Sequence, residues 1–322
     1  MDDSARTQPD PPPPTPAKAP LSPSVSPSVS PSVSPSVLPL PDVAPAPVVP
    51  SVFGVTDVGL VRDHNEDSFL VAELERSMRI FQTSRPGQDG AHVPGPPQGH
   101  LLMVADGMGG HAAGEVASAM TIDVLSSYAF TLMPWTLPRS RSDSRVLAQG
   151  LREAVRICQH RMKEATQVGI GQRGMGTTLT MAYVTWPNLY VVHVGDSRMY
   201  AYRDSQLFQI TRDHTLAQQL VDNKVIKPED VETSEFSHIL VNALGGESDE
   251  LQVELHHALL FPGDVLMLCS DGLTKHVATT EVAQLMGEAA GGANVEAVAK
   301  NLIDRAKAGG GTDNVTVVVA RF

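Results

Sequence analysis

Three apolar runs in this chain each meet an aspartate at one end. Leu101-Leu102-Met103-Val104-Ala105 runs into Asp106-Gly107, Val265-Leu266-Met267-Leu268-Cys269-Ser270 runs into Asp271-Gly272, and Asp313-Asn314 opens the run Val315 to Ala320. Short runs rich in branched side chains read as strands. A side chain at a strand end leaves the core yet stays rigidly placed, so aspartates from distant parts of the sequence can converge at one sheet edge. Glycine after a carboxylate lets backbone, carbonyl or water approach closely, which suits a metal site. Taken singly, Asp-Gly is usually a turn. Three such ends, together with Asn65-Glu66-Asp67 and Val194-Gly195-Asp196-Ser197-Arg198, point beyond turns.

The remaining pattern gives a fold class. Strands are expected at Val52 to Asp57, Ser68 to Ala72, Leu101 to Ala105, Thr178 to Val184, Leu189 to Val194, Met199 to Arg203, Val265 to Cys269 and Val315 to Phe322. Trp186-Pro187-Asn188 and Asp204-Ser205 read as hairpin turns, hence antiparallel sheet. Helices are expected at Gly114 to Leu132, Arg145 to Thr166, Thr280 to Ala289 and Asn294 to Ala308, where apolar residues recur at three- and four-residue steps. In the second of these, Leu147, Leu151, Ala154, Val155, Cys158 and Met162 form a core stripe, which leaves Cys158 without chemistry. Hairpins with separated helix pairs suggest an α+β sandwich of two packed sheets covered by helices. Arg85 to Gly99, crowded with Gly and Pro, reads as an exposed loop. His214 to Gly246 reads as a polar, partly helical excursion, plausible as a flap over a site.

Residues 1–50 belong to another regime. The unit Ser-Pro-Ser-Val repeats from Ser22 to Val37, and a segment with so little to bury is expected to be a disordered, partly polyproline II tail. A plain spacer and a docking or phosphorylation segment are both open. The parse is therefore a Pro/Ser-rich tail over 1–50 and a globular domain over 51–322. The formal charge of −12 argues against nucleic acid and anionic lipid as partners. Two cysteines, Cys158 and Cys269, far apart, suggest neither a disulfide framework nor a zinc site and fit a reducing cytoplasm. Neither a signal peptide nor a membrane segment is read.

Oxygen-only ligands select hard cations, with magnesium or manganese the usual result. The histidines are scattered and no HExxH spacing occurs, which argues against zinc. Two such ions lower the pKa of a shared water and clamp the oxygens of an in-line phosphoryl displacement. Arg62, just before Asn65-Glu66-Asp67, either offers a bidentate fork to phosphate or is an ordinary surface arginine.

These residues together resemble the PP2C-type metal-dependent protein phosphatases in their compact bacterial form. The resemblance rests on Asp57-Val58-Gly59-Leu60-Val61-Arg62, Asn65-Glu66-Asp67, Ala105-Asp106-Gly107-Met108-Gly109-Gly110-His111, Gly114-Glu115-Val116-Ala117-Ser118, Gly174-Met175-Gly176-Thr177-Thr178, Val194 to Arg198, Thr211-Arg212-Asp213-His214, Cys269 to Thr274 and Gly311-Thr312-Asp313-Asn314-Val315, in order. It implies a four-layer α-β-β-α sandwich, two central antiparallel sheets flanked by helix pairs, with metals in a cleft at one end. It implies Asp67, Asp106, Asp271 and Asp313 as carboxylates of a two-metal centre for Mn2+ or Mg2+, with the carbonyl of Gly107. It further implies Glu66 as the residue holding metal-bound water, Arg62 as the phosphate-binding arginine, and Asp196 with Asp271 as ligands of a weaker third ion, with Thr178 close by or simply a strand threonine.

The implied activity is hydrolysis of phosphoserine and phosphothreonine on proteins by a monomer, opposing a Ser/Thr protein kinase. A catalytically dead binding module and a phosphatase of stress-signalling antagonists are the competing readings. Two positions depart from the family. Met108 stands where some members carry a general-acid histidine, which leaves His111 as a candidate or as a loop-orienting residue. Lys275 stands where an aspartate is frequent, and its charge is expected to weaken a third ion.

Overall fold

A computed structural model of the chain describes residues 48–82, 91–110, 112–131, 141–170, 174–231, 234–246 and 250–322. The Ser-Pro-Ser-Val repeats and His111 lie outside these residues, as do positions 85–90 of the expected loop. In chain order the elements are β1 (Ser51–Asp57), β2 (Asp67–Arg79), β3 (His92–Met108), α1 (Ala112–Thr131), α2 (Arg141–Gln167), β4 (Gly176–Thr177), β5 (Leu179–Thr185), β6 (Asn188–Val194), β7 (Arg198–Arg203), β8 (Gln206–Gln209), α3 (Leu216–Asp222), β9 (Glu254–Leu259), β10 (Val265–Cys269), α4 (Asp271–Thr274), α5 (Thr279–Ala290), α6 (Val295–Ala308) and β11 (Val315–Arg321).

The strands form two antiparallel sheets, one of five in the order β1-β11-β10-β7-β8 and one of six in the order β2-β3-β5-β6-β9 with β4 on β3. Three apolar clusters fill the gaps between four layers. Leu102, Val104, Val191, Met199, Leu266, Leu268 and Val318 pack between the sheets. Alternate residues of the same strands face outward: Leu101, Met103 and Val192 meet α1 and α2, and Met267, Val317 and Val319 meet α5 and α6. This explains why β3, β10 and β11 are apolar at successive positions, because each is covered on both faces. Burial of each such side chain contributes about 1.5–3 kcal/mol.

The expected α-β-β-α layering is therefore present. So is the α2 stripe: Leu147, Leu151, Ala154, Val155, Cys158 and Met162 are all buried, and burial pushes the Cys158 thiol up to about 11. Asp204 and Ser205 close the β7–β8 hairpin with positive φ values of 51° and 60°, which matches the right-handed twist of the strands.

Part of the expected loop Arg85 to Gly99 is strand. From His92 onward β3 pairs with β2, with register shifts between Leu74 and Glu75 and between Glu75 and Ser77. Pairing with β5 on its other side begins only at His100, opposite Val184. The prolines at 94, 96 and 97 thus sit in a two-stranded ribbon with one open edge and bulges, where a missing N–H is tolerated.

At the end far from Asp271, Arg203 of the five-stranded sheet reaches across to the six-stranded one while Asp264 holds its guanidinium. Arg203 Nε donates to Asp264 Oδ1 at 2.7 Å and its Nη2 donates to the carbonyl of Leu259 at 2.8 Å. Both side chains are buried. Removing one partner of such a pair strands the other charge in the core. Asp264→Ala is expected to destabilise the chain by about 3–5 kcal/mol, read as a shift in the urea midpoint with unchanged slope; a loss below about 1 kcal/mol would contradict this account.

Candidate active site

The antiparallel register sets Asp67 directly opposite Asp106 on β2 and β3. Asp67 is 8% exposed. Its Oδ2 accepts hydrogen bonds from Ser270 Oγ and Thr316 Oγ1, both at 2.7 Å. These donors belong to the other sheet, so Asp67 sits on the seam between the layers. Its Oδ1 is buried with no hydrogen-bond partner. Burial first, and then the charges of Asp271 and Asp313, push Asp67 up to about 7 against those two hydrogen bonds.

Asp106 is raised well above the usual carboxylate range by burial and by Asp67, Asp271, Asp196 and Asp313. Its backbone is fixed by Thr178: the Asp106 N–H donates to Thr178 Oγ1 at 3.0 Å, and the Thr178 N–H donates to the Asp106 carbonyl at 2.9 Å. Thr178 Oγ1 also lies 2.7 Å from Ser197 Oγ, which makes this threonine a brace between the Asp106 and Asp196 segments. Asp196 is buried and pushed up to about 8 by burial, Asp271 and Asp213. Its loop is held by Arg198, whose Nε and Nη2 grip the Asp213 carboxylate at 3.0 and 2.7 Å.

Asp313 differs in sign. Burial works against its charge, but the hydrogen bond and charge of Lys275, with the charge of Arg62, hold it below the ordinary range. Arg62 Nη2 lies 2.9 Å from Asp313 Oδ1 with its side chain 51% exposed. Lys275 Nζ lies 2.8 Å from Asp313 Oδ2 and 2.7 Å from Asp271 Oδ2. The expectation placed Lys275 against a third ion; the structure sets it on two carboxylates of the expected two-metal centre.

Gly107 and Glu66 are locked by packing. A Cβ on Gly107 would meet the Gly114 carbonyl at 2.2 Å and the Glu66 carbonyl at 2.5 Å, and one on Gly114 would meet Glu66 Oε2 at 2.2 Å. Only glycines let the first turn of α1 close on this loop. The Gly107 N–H donates to the Glu66 carbonyl at 3.2 Å.

Asn314 completes the frame. Its Oδ1 accepts from the Glu66 N–H at 2.8 Å, and its Nδ2 donates to the carbonyls of Val58 and His64 at 3.0 and 2.9 Å. Asn314, Ser270 and Thr316 are the site residues that sequence reasoning missed. The one available signal was a polar residue inside or beside an otherwise apolar strand.

The donor set fits hard divalent ions. Every candidate ligand atom is oxygen, two carboxylates face one another in the core, and one buried oxygen has no partner, a demand that a cation meets.

Histidine sites are a different matter. Among the described residues, one group of three His, Cys, Asp or Glu side chains brings its ligand atoms within 4.8 Å of one another: His193, His214 and Glu254. Its nitrogens are committed to hydrogen bonds. Burial lowers His193 to about 4; its Nε2 lies 3.0 Å from the Arg212 carbonyl and its Nδ1 2.9 Å from Thr180 Oγ1, which also donates to the Ser197 carbonyl at 2.8 Å. His214 Nδ1 accepts from the Gly195 N–H at 3.1 Å and from Asn242 Nδ2 at 2.8 Å. This is a strut between the Asp196 loop and the 214–246 excursion. The excursion borders the site as expected, since Ser237 and His238 line a cleft with Asp196 and Asp271.

Two sheets in four layers, closed at one end by aspartates from five separate segments, define an architecture with known relatives. A family model described as protein phosphatase 2C matches residues 79–304, and the chain belongs to that family. It is 37% identical over 265 residues to the serine/threonine protein phosphatase PstP of Mycobacterium tuberculosis, covering 82% of this chain but 43% of PstP. It is 31% identical over 264 residues to the serine/threonine phosphatase stp of Listeria monocytogenes, covering 82% of this chain and 92% of that protein. The crystal structure of Mycobacterium tuberculosis PstP/Ppp superposes with a TM-score of 0.68 at 34% identity, over 85% of this chain and 99% of that one. A structure of the PstP catalytic domain in complex with two manganese ions gives a TM-score of 0.64 at 34% identity, over 84% of this chain and 97% of that one.

Raised carboxyl pKa values make metal-free stability depend on pH. Unfolded aspartate titrates near about 4, whereas folded Asp67 and Asp196 titrate at about 7 and about 8. Between these values the folded chain binds more protons, so stability is full in acid and is lost as pH rises from about 4 to about 8. The melting temperature in chelator is expected to fall between about pH 5 and about pH 8. Asp67→Asn, which cannot ionise, should flatten that slope and gain about 2 kcal/mol at the upper end. A slope unchanged by the substitution would count against a buried, protonating Asp67.

Proposed function

We propose that this chain hydrolyses phosphoserine and phosphothreonine in proteins, with Mn2+ or Mg2+ held by Asp67, Asp106, Asp271 and Asp313 and by the Gly107 carbonyl. The observation that carries the reading is the unpartnered, buried Oδ1 of Asp67 in a group of mutually repelling aspartates. When bound, two such ions would acidify a water and offset charge on the phosphate oxygens. Asp196, with Asp271, is the position for a third ion, which the Lys275 ammonium opposes. Support for a protein substrate comes from the relatives named above.

The chain's own residues have definite tasks in this reading. Ser270 and Thr316 fix the Asp67 carboxylate in one orientation. Glu66, whose carboxylate lies beside Gly114, holds the attacking water beside the aspartates. Arg62, exposed and paired with Asp313, exchanges that aspartate for a phosphate oxygen pair and clamps the substrate. Met108 carries no titratable group, so a proton for the leaving oxygen comes from elsewhere.

Further parts of the reading concern the setting. A Ser/Thr kinase acting on the same proteins is the natural counterpart, and a cytoplasmic monomer is the proposed form. Among the described residues no helix is long and apolar enough to cross a membrane. Residues 1–50 serve as a Pro/Ser-rich tail, outside the chemistry, to a catalytic domain over 51–322.

Turnover of para-nitrophenyl phosphate is expected to vanish in chelator and return with manganese. Asp271→Asn should lower manganese-saturated turnover by at least about 100-fold with circular dichroism unchanged; near-normal turnover with near-normal manganese affinity would refute the ligand set. Arg62→Ala removes a charge-assisted clamp and leaves the aspartates in place. It should raise KM by about tenfold with a smaller change in kcat, and an unchanged KM would reassign Arg62 to a purely structural partner of Asp313.

A further inference from the structure

Lys275 lies four residues after Asp271, just past the single turn of α4, so the two side chains share one face. Its ammonium stands 2.7 Å from Asp271 Oδ2 and 2.8 Å from Asp313 Oδ2, on a side chain 36% exposed. One positive centre thus touches oxygens of two carboxylates, one on the first residue of α4 just after β10 and one two residues before β11. A hard cation held by Asp271 and Asp313 would compete with Nζ for these carboxylates. Ammonium and ion cannot hold the same two oxygens together.

From this geometry we infer that Lys275 is a tethered counter-ion of the Asp271–Asp313 pair and sets the divalent-ion affinity of the site, because metal binds this pair only as Lys275 withdraws. The inference rests on the metal-centre reading proposed above. Without metal the ammonium offsets the repulsion between two carboxylates fixed at neighbouring strand ends. With metal it turns away from the pair into the cleft that it already lines together with Asp196, Thr274, Ser237 and His238, where the Asp196 carboxylate offers another anion. A flexible four-carbon stem and a readily hydrated ammonium suit that exchange. Arg62 holds Asp313 from the solvent side and does not reach Asp271 among the described contacts, so Lys275 alone spans the pair.

The test is manganese titration of the full chain by calorimetry, together with melting in chelator and in saturating manganese, for wild type, Lys275→Met and Lys275→Arg. Methionine keeps the stem and removes the charge. Lys275→Met is expected to bind manganese about fivefold more tightly, the scale of one partly exposed ion pair. It should also melt lower than wild type in chelator, and the gap should close or reverse with manganese. Lys275→Arg, which keeps the charge, should not tighten binding. Equal or weaker manganese affinity in Lys275→Met overturns the inference while leaving the metal centre standing. Absence of manganese binding in wild type and variant alike overturns the metal-centre reading and this inference with it. Should Lys275→Met lose its melting transition, Lys275→Gln decides by the same comparison.

Discussion

Asp67 and Asp106 stand opposite each other on neighbouring strands, and the rest of the structure is arranged around that pair. Like charges in directly opposed sheet positions repel, and burial adds a desolvation cost for each ionised carboxylate. No local feature of β2 or β3 offsets this. The stabilisation comes from a distance, through apolar packing on both faces of β3, β10 and β11. A sheet edge open to water on one face has less apolar area to set against the penalty. The four-layer arrangement, with each central strand covered twice, supplies that area.

The polar frame explains why the site lies at one end and not elsewhere along the sheets. Asp67 belongs to the six-stranded sheet, yet both donors to its Oδ2 come from the five-stranded one. Thr316 Oγ1 also meets Thr56 Oγ1 at 2.7 Å, and Asn65 Nδ2 donates to Thr56 at 2.8 Å. A continuous hydrogen-bonded path therefore runs from the loop that carries Arg62 and Glu66, through β1 and β11, to the central carboxylate. At the far end Arg203, its charge met by Asp264, reaches the Leu259 carbonyl of the six-stranded sheet and makes a comparable tie without crowding of like charge. Both ends are polar seams between layers, and only one of them is deficient in cations.

Much of this was legible in the sequence, and the boundary of legibility has a physical cause. The strands that end in Asp106 and Asp271, and the one opened by Asp313, are buried on both faces, so their apolar runs stand out and fix where each aspartate falls. The four long helices were legible to within a few residues, α2, α5 and α6 because each buries one stripe, whereas the short α4 was not. The strands Gln206–Gln209 and Glu254–Leu259 passed unnoticed, since each is the last strand of its sheet and is only partly buried. The ribbon beginning at His92 was read as loop because prolines mask strand propensity where an open edge tolerates them. Ser270, Thr316 and Asn314 were illegible for another reason: each acts on a partner about 200 or more residues away, and a hydroxyl in a strand gives no sign of what lies across the layer.

The site is also electrically lopsided. Asp67, Asp106 and Asp196 are driven toward the protonated form by burial and by one another, while Asp313 is kept ionised by Lys275 and Arg62. Two kinds of positive charge thus compensate the aspartates: protons on the inner members and side-chain cations on the outer ones. In the proposed metal centre a divalent ion would compete with protons on the inner members and with the Lys275 ammonium on the outer pair. Its apparent affinity is therefore linked to pH through the inner carboxyls, and to the reach and charge of residue 275 through the outer pair. Both linkages arise from the same constraint, five carboxylates gathered where the fold gives them few partners.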